Sequence, residues 1–458
     1  MQLMVTKVEV KPNIMRNVKR SANWSQLLVR GSFTMALAVL LFAGFQSSKI
    51  PHLGNTPDIT GMPAVATRSI AAATAFAPAP PGESPPSALP PPQNKLAAST
   101  NYVGDEVCGS CHQDKTSTYH QTAHHITSRL PTRDSIAGKF GPGSNILETL
   151  NTNLYFKMEA NEEGFFQSAM LRHSLTHAIQ QTERFDVVVG SGRKGQTYLF
   201  WRDSDLIELP VSYWVELGEW GNSPGYVDGN VRFNRAIVPR CLECHSSSFE
   251  ELGPPAYRYN RTSLVLGITC EKCHGPGREH VARFQSPTPP QSPAETAIIN
   301  PARFSRDRQV DACALCHAGM GIPIAPALSF VPGDVLSNYV YLPKIDVDTA
   351  VDVHGKQVEL LSKSRCFQSS PTMTCSSCHD AHKPQRDLAA FTTSCLACHK
   401  IEKCGEFAKL GHKIDNNCVT CHMPLQQTGA IIARVNGSVW QPKVRNHQIA
   451  IYPDIHLP

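Results

Sequence analysis

Cys-x-x-Cys-His occurs seven times in this chain. The copies are Cys108, Cys111 and His112; Cys241, Cys244 and His245; Cys270, Cys273 and His274; Cys313, Cys316 and His317; Cys375, Cys378 and His379; Cys395, Cys398 and His399; and Cys418, Cys421 and His422. Two thiols so spaced can add across the vinyl groups of a haem while the adjoining imidazole ligates its iron, so each copy reads as a c-type haem attachment site. Zinc ribbons are the competing reading, because Cys-x-x-Cys knuckles with nearby histidines also build tetrahedral zinc sites. A zinc knuckle has no need of His directly after the second Cys. Here every copy has it, in a chain with 19 histidines among 458 residues. The pattern predicts seven covalently attached haem c groups with their iron.

Each iron then needs a second axial ligand or an open position, and that choice separates an electron carrier from a catalyst. Twelve histidines lie outside the motifs. His52 sits in a Pro-rich stretch and His456 beside the C-terminus, which makes both poor candidates. His173 and His177, four apart, would share a helix face and supply at most one ligand, taken as His177. His354, in DVHG, is a further candidate. Met320, Met373 and Met423 lie near motifs and are rivals whose ligation would raise the reduction potential. Cys366 and Cys404 fall outside every motif; an even remainder permits one disulfide, against two buried thiols.

The elements that must position these groups are unevenly distributed. Basic residues up to Arg30 precede an apolar run from Phe33 to Phe45, too short for the ~20 residues of a membrane span and suited to an export signal, or else to a short signal anchor. Residues 1–50 are therefore expected to be a signal peptide or membrane anchor, and the protein to be exported to the periplasm or the periplasmic face of the inner membrane. Residues 51–100, rich in Ala, Pro, Ser and Thr, read as an extended spacer. All 16 cysteines fall in 101–458, with too little chain per motif for each to own a domain of ~100 residues. The motifs must share one core. Between the first two, FDVVV ending at Val189, TYLFW ending at Trp201 and LIELPVSYW ending at Trp214 predict a small antiparallel β insert over about 184–235. Gly190-Ser191-Gly192 between them lacks the Lys-Ser/Thr of a phosphate loop. The remainder reads as helix starting at the haem motifs. The expected fold is mainly α with extensive loops and that β insert, organised around stacked haems. The net charge of +5 omits haem propionates, and no basic run in the mature region argues for nucleic acid.

CGSCH followed by Tyr119 and Thr122-Ala123-His124, VVVGSGRKGQTYLF with PVSYW and SPGY, ITCEKCHGPGREH, NPARFSRDRQVDACALCH, FVPGDVLSNY, MTCSSCHDAH, and CVTCHMP with a closing NHQI together resemble bacterial multihaem cytochromes of the cytochrome c-552/c-554 type. The resemblance covers nearly all of residues 101–451. It implies distal ligands at His124 (with His120 or His125 as substitutes), His280, His382, His412 and His447. With His177 and His354 these just suffice for seven bis-histidine irons. It also implies an electron carrier working with redox partner proteins or a quinol-linked donor. A multihaem oxidoreductase with one open haem, acting on a small nitrogen or sulfur compound, is the second expectation. The Lys-for-His exchange that marks the catalytic haem of some nitrite reductases is absent.

Overall fold

The computed structural model describes residues 101–458 except 174–175, 255, 343–355, 430 and 456–458, and leaves out the side chains of 173–177 and 293. The expected signal or anchor, the spacer, His52, His354, His456 and the side chain of His177 lie outside the described residues.

Among the described residues, helix makes up 28 % and strand 24 %, so the expectation of a mainly α fold is overturned. Two causes combine. A Cys-x-x-Cys-His pentapeptide needs only a single helical turn, and the β region extends well beyond the expected insert. Its strands are β1 (Ser128–Arg129), β2 (Ile146–Glu148), β3 (Leu154–Asn161), β4 (Gly164–His173), β5 (Thr176–Arg184), β6 (Val187–Val189), β7 (Gly195–Arg202), β8 (Asp205–Glu208), β9 (Val211–Trp214), β10 (Glu219–Asn222) and β11 (Arg235–Ala236). β2 to β5 form an antiparallel meander, while β1-β6-β7-β8-β11 form a second sheet in which β7 also pairs β9, and β9 pairs β10.

Side chains two apart point to the same face of a strand. Leu154, Phe156 and Met158 of β3 and Tyr198 and Phe200 of β7 thereby meet in one buried cluster with Phe185, Tyr213 and Trp220 between the two sheets. The opposite face of the second sheet is apolar too. Val187, Leu199 and Leu206 pack on Leu242, Phe249, Tyr259 and Leu264, and Leu242 belongs to the helix that carries the second motif. Burial on both faces explains why these strands lack polar alternation. His173 and His177, expected on one helix face, instead flank the β4–β5 connection, with Arg172 paired to His177 and His173 to Thr176.

Short helices carry or adjoin the motifs: α1 (Asp105–Gly109), α2 (Gln113–Tyr119), α3 (Pro239–His245), α4 (Cys270–His274), α5 (Arg278–Phe284) and α6 (Arg306–His317). Later come helices Leu388–Leu396 and Cys418–His422 and a 3-10 turn, Cys375–Ser377. The second and fourth motifs close their helices rather than opening them. None of the helices among the described residues is long and apolar enough to cross a membrane.

Candidate haem-binding cavity

Both cysteines and the histidine of all seven motifs line one cavity of about 4150 Å³. An ordinary ligand pocket holds roughly 300–1,000 Å³. Arg193, Lys194, Arg235, Arg365, Arg386 and Arg445 border the same space, cations suited to porphyrin propionates.

Four motif histidines face a second imidazole across it. Ring centres lie 6.4 Å apart for His112 and His280, 6.0 Å for His274 and His382, 6.0 Å for His317 and His124, and 6.3 Å for His379 and His447. An ion about 2 Å from one nitrogen of each ring would hold the centres roughly 6 Å apart. The spacing thus fits an iron between each pair and is too wide for direct stacking. Three pairs are near-parallel, at 18°, 29° and 26°, whereas His124 and His317 stand at 80°.

Hydrogen bonds orient several rings. Nδ1 donates to a backbone carbonyl in His274 (Ile299, 2.8 Å), His280 (Thr296, 2.7 Å), His422 (Ala450, 2.8 Å) and His447 (Arg445, 3.1 Å). A carbonyl only accepts, so Nδ1 carries the proton and Nε2 keeps the lone pair a metal needs. His245 Nδ1 lies 2.9 Å from Thr127 Oγ1. Burial, reinforced by neighbouring histidines, lowers His124 and His447 to about 4, and burial lowers His274, His317 and His379 as well. These imidazoles stay neutral, the form that ligates.

The motifs meet out of chain order. The Cys108 thiol lies beside Cys270, Cys244 beside Cys316, and Cys313 beside Cys375, where the elements that carry them pack together. The first motif therefore adjoins the third, and the fourth adjoins both the second and the fifth. Helix Leu388–Leu396 packs on Cys418–His422, joining the sixth and seventh.

Other candidates fall elsewhere. His412, 79 % exposed, pairs with Asp415 at 3.1 Å. His120 and His125 cluster with Asp105. Among the described residues no second histidine ring lies opposite His399 or His422. Cys366 and Cys404 do not pair with each other; both are free thiols on the cavity wall.

Two supports escaped sequence reasoning. Buried Glu271, between the cysteines of the third motif, accepts from the backbone N–H of Val103 (3.0 Å), Gly104 (2.9 Å) and Gly277 (2.8 Å), tying α1 to α4. Arg240 and Glu243 form a buried ion pair at 2.5 Å; Arg240 also donates to the Met320 carbonyl at 2.8 Å, and Glu243 accepts from Leu328 N–H at 2.9 Å. Nothing in the sequence separates these charges from solvated ones.

Residues 226–275, which include the second and third motifs, match the model of the family described as cytochrome c554 and c-prime. A curated relative, the dissimilatory sulfite reductase MccA of Wolinella succinogenes, is 21 % identical over 406 residues, 71 % of this chain and 51 % of its own length. Together these findings support a multihaem c-type cytochrome. The chain spans about half the length of that relative. Among solved structures it is similar to the outer cell wall cytochrome OcwA (18 % identity, TM-score 0.48, covering 76 % of this chain and 80 % of that one). It is similar also to an undecahaem cytochrome from the S-layer of Carboxydothermus ferrireducens (16 % identity, TM-score 0.37, covering 78 % and 53 %).

Proposed function

We propose that this chain is an exported, seven-haem electron-transfer cytochrome with mostly bis-histidine irons, acting on the periplasmic side with a redox protein or quinol-linked donor. Residues 1–50 would direct or anchor it there, 51–100 would act as a tether, and 101–458 would be the cytochrome proper. The carrying observation is the single cavity to which all seven motifs contribute, with four motif imidazoles each facing another at 6.0–6.4 Å. Haem, when bound, supplies reversible one-electron chemistry at iron. The chain's own task is to hold each motif against the next, keep the ligating imidazoles neutral and oriented, and set cations beside the propionates.

Intact-mass measurement of protein from a haem-attaching host should give seven covalent porphyrins, and the ferric protein should be low-spin. Free thiols at any motif would refute the count.

A second reading is an oxidoreductase with one open haem acting on a small nitrogen or sulfur compound. It draws on the likeness to a sulfite reductase and on the lack, among the described residues, of a ring facing His399 or His422. Carbon monoxide binding to about one reduced iron in seven, with turnover of sulfite or nitrite, would favour it over the carrier.

A further inference from the structure

We propose that Asp105, His120 and His125 form a binding site for one divalent transition-metal ion of zinc's class, distinct from the haem cavity. The residues that line the cavity include Tyr119 and His124 but none of these three. Asp105 Oδ2, His120 Nε2 and His125 Nδ1 lie within 4.8 Å of one another. Each of these atoms is buried without a hydrogen-bond partner. The Asp105 side chain is only 9 % exposed, and its other oxygen already accepts from Cys270 N–H at 2.8 Å, which leaves Oδ2 aimed at the two rings.

The distances are within reach of ion pairing but too long for hydrogen bonds. Oδ2 is 3.6 Å from His120 Nε2 and 3.5 Å from His125 Nδ1, both beyond a normal hydrogen bond. Ligand atoms about 2.0–2.1 Å from a tetrahedral ion stand roughly 3.4 Å apart. The two rings stack at 4.2 Å, an arrangement in which two imidazolium cations would repel, whereas two neutral rings can turn their lone pairs to one ion. Two nitrogens and one carboxylate oxygen, with a fourth position for water, suit Zn²⁺ better than ions that demand square-planar or all-oxygen surroundings. His120 is 40 % exposed, which gives the ion a way in. Such an ion would tie α1, and through Asp105 the start of α4, to the loop that holds His124 opposite His317.

The test uses the haem-loaded full chain, stripped with EDTA and titrated with zinc chloride alone, zinc being counted against haem iron by elemental analysis. One tight zinc per chain is expected. Its affinity should fall at least tenfold in Asp105→Asn, which keeps an oxygen for the Cys270 N–H, and in His120→Ala, whose ring is 40 % exposed. An unchanged haem spectrum would certify folding in both variants. Zinc bound equally by the wild type and a double variant would belong to other carboxylates and would overturn the site, as would no uptake by the wild type.

Discussion

His447 illustrates how one side chain is prepared to ligate. Its Nδ1 proton goes to the Arg445 carbonyl, burial keeps it neutral, and its ring stands 6.3 Å from His379. His447→Ala is expected to convert one low-spin iron in seven to a high-spin, carbon-monoxide-binding centre, visible by EPR. The same change at His412, exposed and turned to Asp415, should leave the spin states of the parent protein unchanged. Ring orientation provides a second check. Near-parallel axial planes give a low-spin ferric iron a rhombic EPR spectrum, and near-perpendicular planes give one highly anisotropic feature. The 80° between His124 and His317 predicts one such feature, lost in His124→Ala, beside at least three rhombic signals.

Elements hold these rings through a few buried polar groups. Removing the Glu271 carboxylate strands three backbone donors at the α1–α4 junction. At ~1–3 kcal/mol for each unsatisfied group, Glu271→Ala should cost about 3–9 kcal/mol in guanidinium unfolding. In the β region, a Cβ on Gly138 would lie 2.2 Å from the Trp220 ring, whose Nε1 is anchored on the Lys139 carbonyl. Gly138→Ala should therefore destabilise by about 1–3 kcal/mol, measured the same way. The continuous apolar runs around Val187 and Tyr198 made their strands legible in the sequence. β2 to β5 were not, because Gln167 and Ser168 are buried polar residues inside β4, satisfied by Val211 and Thr182, and so break the apolar alternation. The four-residue spacing of His173 and His177 fits a helix as readily as a hairpin. The seven Cys-x-x-Cys-His motifs were legible as candidates because the chemistry they suggest demands a fixed local spacing. The pairing of motif one with three, and of four with two and five, depends on tertiary packing that no local pattern encodes.

Among the described residues, apolar burial is concentrated in the sheets and around α3 and α6, whereas the last three motifs contribute little beyond Ile414 and Val419 to the buried interior. Bound haem is expected to supply that segment's apolar contacts. Limited proteolysis of chain made without haem attachment should cut between 375 and 422 first and spare the region around 146–266. The haem-loaded protein should resist at both. Uniform digestion of the unloaded chain would contradict this division.

The facing imidazoles also bear on how the molecule reaches its finished state. His112 meets His280, His124 meets His317, His274 meets His382 and His379 meets His447. Each couple joins distant stretches of chain, and during export the later partner emerges long after the earlier. On the proposed reading, an early porphyrin would wait, half-coordinated, until the matching downstream residue arrives. The colour of the iron then becomes a stopwatch for assembly, advancing from high-spin to low-spin one couple at a time.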